Sequence, residues 1–191
     1  MNRAAFYKTV RARLGPLTQS QVDGLETILD AIDGAPLSHQ AYMLATAWHE
    51  TAKTMQPVRE AFNLSEAWRK KNLRYWPWYG RGYVQTTWES NYARLDTEAA
   101  VAGLTKPGEI LANPDLAMRP DIAAFALRRG MEGGWYDAQG KTMAQRLPVK
   151  GVATLTQYIN ARYLVNIQDK ADLIEDYAQA FERALRDGGV M

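Results

Sequence analysis

Apolar residues recur at helical spacing along most of the chain, and this pattern predicts a mostly helical protein. One stripe follows Thr18, which with Gln21 fits an N-terminal capping box, and contains Val22, Leu25, Ile28, Leu29 and Ile32. Another lies near the C-terminus and contains Leu173, Ile174, Tyr177, Ala180, Phe181 and Leu185. Both stripes are typical of helices that pack against a core.

The same reading places the helices along the chain. The expected ranges are 4–14, 18–34, 38–53, 63–71, 88–102, 121–131, 152–161 and 168–186. Ser38 is the expected N-cap of the third helix, and Asn63 or Ser65 that of the fourth. Residues 72–85 and 107–120 predict loops, the first with at most a small hairpin. No stretch resembles a linker, so we expect one domain over residues 1–191, with no separate binding domain.

Composition narrows the classes of function. The 191 residues contain no cysteine, which excludes disulfides and thiolate chemistry. The formal net charge of +2 is too small to indicate nucleic acid as a partner, but it suits an anionic polymer such as a bacterial wall. We expect no nucleic-acid partner and a monomer.

Residues 1–17 carry four basic side chains and no continuous apolar run, unlike a secretory signal. No stretch approaches the roughly 20 apolar residues of a membrane span. We therefore expect synthesis in the cytoplasm and no stable membrane insertion. An enzyme acting on the wall would then need another factor for its release.

Glu50 is the first candidate for catalysis. On the predicted helix it shares one stripe with Met43, Ala47 and Thr54. An apolar surround and the negative end of the helix dipole both disfavour a charged carboxylate. Glu50 is therefore expected to be protonated and to act as a general acid.

Glu60 is the expected general base, because the neighbouring Arg59 favours an ionised carboxylate. Glu66, six residues further on, is an alternative. Two carboxyl groups about 6.5–9.5 Å apart leave room for water and give inversion at the anomeric carbon. Most single glutamates on helices are solvated surface residues, so the assignment depends on the segment that follows.

That segment contains Tyr79-Gly80-Arg81-Gly82, then Gln85 and Thr87, then Asn91-Tyr92. Together with Glu50 and Glu60 it resembles the glycoside hydrolase family 19 chitinases, and most closely the bacteriophage endolysins of that family. The resemblance covers residues 38–165 and is specific between 48 and 92. The absence of cysteine departs from the plant-type branch.

The resemblance implies a lysozyme-like helical fold with two lobes around a substrate cleft. It implies inverting hydrolysis of β-1,4 bonds between MurNAc and GlcNAc in peptidoglycan, causing cell lysis, without a cofactor. Glu50 would be the acid and Glu60 the base, and Thr87 would position the water. The sugar would be held by Gln85, Asn91 and Asn160. Around Asn160, Ala161-Arg162 replaces two glycines of the family pattern.

Five of the six tryptophans fall between positions 48 and 88. Trp48 and Trp88 are expected to anchor the core, while Trp76, Trp78 and Tyr79 are expected at the cleft rim, where aromatic faces stack on sugars. The basic run at Arg69, Lys70, Lys71 and Arg74 is either a solvated face or a guide for anionic polymer.

Arg81 is expected to support the site through a salt bridge to a glutamate or bonds to backbone carbonyls. Asn113-Pro114-Asp115 reads as a structural turn.

Other chemistries fit less well. His49-Glu50 begins like a zinc motif, but its second histidine is replaced by Lys53 and the only other histidine is His39. No metal is therefore expected, and His49 is a support residue. The remaining alternatives are a chitinase acting on GlcNAc polymers and a non-catalytic glycan-binding protein.

Overall fold

A computed structural model describes all residues from 1 to 191. It contains ten α-helices, two short 3₁₀ helices and one two-stranded antiparallel sheet. The α-helices are α1 Arg3–Leu14, α2 Gln19–Ala31, α3 Leu37–Glu50, α4 Glu66–Asn72, α5 Glu89–Val101, α6 Glu109–Ala112, α7 Pro120–Glu132, α8 Met143–Arg146, α9 Leu155–Ala161 and α10 Ala171–Asp187. The strands are β1 Val58–Arg59 and β2 Arg81–Gly82, and the 3₁₀ helices are Pro114–Met118 and Arg162–Leu164.

Most predicted helices are confirmed, with ends that lie within a few residues of the predicted ones. Two of the predicted N-caps are also confirmed. Thr18 and Gln21 form the expected capping box at α2, and Ser65 caps α4. The predicted Ser38 cap is wrong. The third helix begins one residue earlier, at Leu37, and the buried Ser38 hydroxyl donates to the Pro148 carbonyl at 2.6 Å.

The loop predicted at 107–120 is also wrong in part, because it contains α6 and a 3₁₀ helix. The Asp96 carboxylate accepts hydrogen bonds from the backbone N–H groups of Gly108 and Ile110, at 2.7 and 2.8 Å. Since Asp96 lies on another helix, local sequence gave no sign of this support. The short helix α8 was not predicted either.

A large apolar cluster is built around α3 and α10 and includes residues of α1, α2, α7 and α9. Trp48 is buried in it against Tyr177 and Phe181, as expected of a core anchor. Most of the predicted stripe of α10 faces this cluster, but Leu173 is exposed. Every residue of α3 up to Trp48 is buried, so the helix holds Glu50 on a rigid support.

A second, smaller cluster lies between α5, α6, the first 3₁₀ helix and α7. Its members are Tyr92, Leu95, Ala99, Ile110, Ala117, Ile122 and Ala126. Helix α7 belongs to both clusters, since its Ala123 and Leu127 pack in the large one. The molecule thus has two packed regions joined through α7.

The strand pair lies between these regions. Val58 pairs with Gly82, and Arg59 with Arg81. Gly82 has φ of 84°, a backbone conformation that glycine adopts without strain. A Cβ at this position would also lie only 3.0 Å from the Ala117 carbonyl oxygen, so there is little room for a side chain. A single antiparallel bridge between Arg81 and Thr86 turns the chain back on itself after β2, and β1 adds a pairing with a more distant segment. No helix is long and apolar enough to cross a membrane.

Candidate active site

A cavity of about 300 Å³ brings four of the predicted site residues together: Glu50, Gln85, Thr87 and Asn91. Its remaining lining comes from Tyr75, Val84, Trp88, Tyr136, Val165 and Asn166. These residues come from the end of α3, the segments after α4 and β2, the start of α5, and the segments after α7 and the second 3₁₀ helix. Residues far apart in sequence thus meet at one concave site.

Glu50 is the last residue of α3, and its carboxylate faces a guanidinium. Arg162 Nη1 donates to Glu50 Oε1 at 2.8 Å, and the two side chains are 1% and 16% exposed. The expected apolar surround is therefore wrong, because a buried cation stands beside the carboxylate. Arg162 is held in place by a second bond, from Nε to the Asp169 carbonyl. Sequence reasoning noted Arg162 only as a departure from the family pattern.

His49 lies next to this pair. Burial lowers the pKa of His49, while Glu50 raises it and Arg162 lowers it. The net shift is downward, so the imidazole is neutral at pH 7 and adds no second cation beside Glu50.

Glu60 follows β1. The expected influence of Arg59 on Glu60 is wrong, because Arg59 pairs with Asp115. Glu60 is instead fixed at both carboxylate oxygens by neutral donors. Tyr75 donates its hydroxyl to Oε1 at 2.6 Å, and the Gly80 backbone N–H donates to Oε2 at 3.0 Å. Burial, followed by the bond to Glu60, raises the pKa of Tyr75 to about 12, so the tyrosine stays a donor. Glu60 does not itself line the cavity that contains Glu50, but its hydrogen-bond partner Tyr75 does.

Glu66 lies elsewhere, on the wall of a separate cavity of about 620 Å³. Its carboxylate accepts hydrogen bonds from Trp76 Nε1 and from the Tyr79 hydroxyl, both at 2.8 Å. Burial would raise the pKa of Glu66, but these bonds and the nearby Arg69 outweigh it and lower the pKa. Glu66 therefore has donors of its own and does not line the cavity that contains Glu50.

Hydrogen bonds fix the three polar residues opposite Glu50. The Thr87 hydroxyl donates to the Gln85 carbonyl at 2.8 Å, and Asn91 Nδ2 donates to the Thr87 carbonyl at 2.9 Å. Gln85 adopts φ of 53°, and its Nε2 donates to the Val58 carbonyl of β1 at 3.0 Å. A Cβ at Gly80 would lie 2.7 Å from Gln85 Oε1, so the first glycine of the motif makes room for this amide.

Three predicted substrate-binding residues do not line this cavity. Tyr79 is buried and bonded to Glu66, and Trp78 packs against Tyr92 with the ring centroids 5.3 Å apart. Asn160 is exposed on α9. The structure therefore does not bring Trp78, Tyr79 or Asn160 together with Glu50.

Arg81 has the support position that was expected, with a different acidic partner. Its Nε donates to Asp115 at 2.8 Å, and its Nη1 donates to the carbonyls of Pro77 and Tyr79. Asn113 Oδ1 accepts from the Asp115 backbone N–H, which confirms a structural turn there.

Trp88 differs from its prediction as a core anchor. Its side chain is 45% exposed, it lines the cavity, and its backbone has φ of 76°. Helical spacing suggested burial, but Trp88 is the N-cap of α5 and so lies just outside the helix.

Sequence reasoning also missed Tyr75, Tyr136 and Asn166 as lining residues of the cavity. No group of three or more His, Cys, Asp or Glu side chains is arranged to hold a metal ion.

Comparison with known proteins identifies the fold. No protein-family model matches the chain, and no curated protein matches it. Among solved structures, chitinase C from Streptomyces griseus HUT6037 aligns with a TM-score of 0.57 and 18% identity, over 98% of this chain and 76% of that one. A glutamate-to-glutamine mutant of chitinase C aligns with a TM-score of 0.50 and 18% identity, over 98% and 92%. The predicted mostly helical, lysozyme-like fold of family 19 is thereby confirmed.

Proposed function

We propose that this protein is an endolysin-type glycoside hydrolase that cleaves β-1,4 bonds between MurNAc and GlcNAc in peptidoglycan with inversion. The main observation behind the proposal is the cavity lined by Glu50, Gln85, Thr87 and Asn91. Tyr75, which also lines this cavity, donates a hydrogen bond to Glu60. An acid, a base, a hydroxyl and two amides are the groups that such a hydrolysis needs.

Glu50 donates its proton to the glycosidic oxygen. The carboxylate that forms in this step gains the full attraction of the Arg162 guanidinium at 2.8 Å. Arg162 thus interacts more strongly with the carboxylate that forms than with the neutral acid, and this difference lowers the barrier to proton transfer. The buried helix α3 keeps Glu50 in place, and the hydrogen bond from Arg162 Nε to the Asp169 carbonyl keeps the guanidinium in place.

Glu60 and Thr87 act on the attacking water. The Thr87 hydroxyl already donates its hydrogen to the Gln85 carbonyl, so its oxygen is left to accept one from water. Glu60 accepts the other water proton as the base. Both hydrogens of the water are then held, and its lone pair is free to attack the anomeric carbon.

Glu60 is preferred to Glu66 as the base because of their positions. The Tyr75 partner of Glu60 lines the cavity that contains Glu50, whereas Glu66 lines the larger, separate cavity. The exposed indole of Trp88 supplies an apolar face beside the cavity for a sugar ring.

A chitinase acting on GlcNAc polymers is the second candidate, supported by the fold shared with chitinase C. A non-catalytic glycan-binding protein is less favoured, because the acid, base and hydroxyl are all present. We further propose that the protein acts as a monomer on peptidoglycan strands, after another factor releases it from the cytoplasm to the wall.

Mass spectrometry of digested peptidoglycan and chitin oligomers tests this function, with Glu50→Gln as the inactive control. We expect reducing MurNAc ends from peptidoglycan, and NMR of the first product should show the α-anomer from a β-linked substrate. Cleavage of chitin alone would favour the second candidate. Intact strands of both polymers would exclude hydrolysis of either and leave glycan binding.

A further inference from the structure

Three exposed cations lie together near the cavity: Lys70 and Lys71 in the last turn of α4, and Arg74 just after the helix. We call these residues the basic rim. None of them forms a salt bridge within 4 Å. Their charge is therefore not neutralised by an acidic side chain and is available to a ligand.

Aromatic contacts connect the basic rim to the cavity. The Arg74 guanidinium lies 5.2 Å from the centroid of the Trp88 ring, and the Tyr75 and Trp88 ring centroids are 4.9 Å apart. Trp88 and Tyr75 both line the cavity. Further out, Lys70 Nζ lies 4.9 Å from the centroid of the Trp76 ring, which is 38% exposed. Cations and aromatic faces thus form one surface that begins at the cavity.

The side chains that line the cavity can do little to distinguish a neutral sugar from an anionic one. Glu50 is its only charged lining residue, and Arg162 already pairs with it. The other polar groups there are amides and hydroxyls, which bind a neutral sugar as well as one carrying an anionic substituent. Any preference between neutral and anionic glycans must therefore arise outside the cavity, and the basic rim is the adjoining charged surface.

We propose that the basic rim binds the carboxylates of peptidoglycan stem peptides and so selects this anionic strand over neutral chitin. The inference rests on the proposed hydrolase function and names its substrate class. An anionic lipid surface would also attract exposed cations and tryptophans. Continuity of the rim with the cavity favours the glycan strand, because its substituents extend beyond the sugars that the cavity holds.

The test compares two forms of one polymer: native peptidoglycan, and the same preparation with its stem-peptide carboxylates amidated. We expect the wild-type protein to cleave the native form with a kcat/KM about tenfold higher at low ionic strength. This ratio should fall toward one in about 0.5 M salt, because salt screens exposed charges. The salt series needs no variant and so does not depend on the folding of one.

The matched variants each remove three positive charges. The rim variant carries Lys70→Gln, Lys71→Gln and Arg74→Gln, and the control carries Lys8→Gln, Lys106→Gln and Lys150→Gln at exposed positions that do not line the cavity. We expect the rim variant to cleave the native and the amidated polymer at equal rates. The control should retain the wild-type preference.

Equal cleavage of native and amidated peptidoglycan by the wild-type protein would overturn the rim proposal and leave the hydrolase function intact. No cleavage of either form would instead count against the hydrolase function. Charge-independent cleavage, combined with rim-dependent binding to anionic phospholipid vesicles, would assign the rim to lipid and also overturn the proposal.

Discussion

At the scale of single residues, Glu50 and Glu60 are held by different kinds of partner. Glu50 pairs with a buried guanidinium, whereas Glu60 accepts two hydrogen bonds from neutral donors. A guanidinium stabilises the carboxylate that a general acid becomes. Neutral donors fix the direction of a base without adding charge. The two environments therefore suit two different roles.

Tyr75→Phe tests the placement of Glu60. The change removes only the hydroxyl that donates to Glu60 Oε1 at 2.6 Å, so the carboxylate gains freedom to rotate. We expect kcat to fall about tenfold with KM nearly unchanged, because a loosened base affects the chemical step more than binding. Tyr163→Phe, at a tyrosine that does not line the cavity, is the control. An unaltered kcat in Tyr75→Phe would separate Glu60 from the reaction.

At the scale of elements, the segment between the two glutamates is fixed by α2. Gln56 Nε2 donates to the Ser20 carbonyl at 2.6 Å, and Gln21 Nε2 donates to the Lys53 carbonyl at 2.9 Å. Gly24 permits this close approach, since a Cβ there would lie 1.7 Å from the Met55 carbonyl oxygen. The spacing of Glu50 and Glu60 thus depends on a helix that contributes nothing to the cavity.

Gly24→Ala has opposite expected effects in an isolated helix and in this fold. Helix propensity alone would stabilise the variant by about 1 kcal/mol. The clash with Met55 is with backbone and should outweigh that gain, so we expect a net destabilisation of about 2–3 kcal/mol in urea unfolding, together with reduced activity. Ser20→Ala, exposed on the same helix, should change stability by no more than about 0.5 kcal/mol. A stabilised Gly24→Ala would contradict the packing described.

Asp115 joins three elements, because it pairs with Arg59 of β1 and Arg81 of β2 and itself lies in the first 3₁₀ helix. Burial raises the pKa of Asp115, but the bonds from the two arginines outweigh burial and lower the pKa. A carboxylate with a lowered pKa stabilises the fold above its unfolded pKa of about 3.9. That contribution is lost as the pH falls through the folded value.

We therefore expect Asp115→Asn to be less stable than wild type at pH 7 and to approach wild type below about pH 3. Urea unfolding at several pH values measures this difference. Asp23→Asn, at an exposed carboxylate that forms no salt bridge, should show a much smaller difference across the same range. A deficit in Asp115→Asn that is equally large at pH 7 and pH 3 would contradict the role assigned to its charge.

The helices and strands also show which features of the fold and the site could be predicted from the sequence and which could not. Helices with a clear apolar stripe or a local cap, such as α2 and α10, were placed well because periodicity and capping are local. The pairing of Val58 with Gly82, the capping of α6 by Asp96 and the contact of Arg162 with Glu50 join distant segments. No single-sequence pattern encodes them, so the cavity's full lining could not be predicted.

At the scale of the whole molecule, two packed regions share α7, and the strand pair lies between them. The large region provides Glu50 and Arg162, and the segments around β1 and β2 provide Glu60, Gln85 and Thr87. The proposed reaction therefore requires groups from separate parts of the fold. The central claim of the proposed mechanism is that Glu50 is the acid and that Glu60, and not Glu66, is the base.

The most direct test of that claim is the rate of reducing-end formation from peptidoglycan by Glu50→Gln, Glu60→Gln and Glu66→Gln, each checked for native unfolding behaviour. We predict losses of at least about 100-fold for the first two, as expected when a general acid or base is removed. Glu66→Gln should stay within about tenfold of wild type. A Glu60→Gln variant that keeps the wild-type rate, or a Glu66→Gln variant that loses it, would contradict the account.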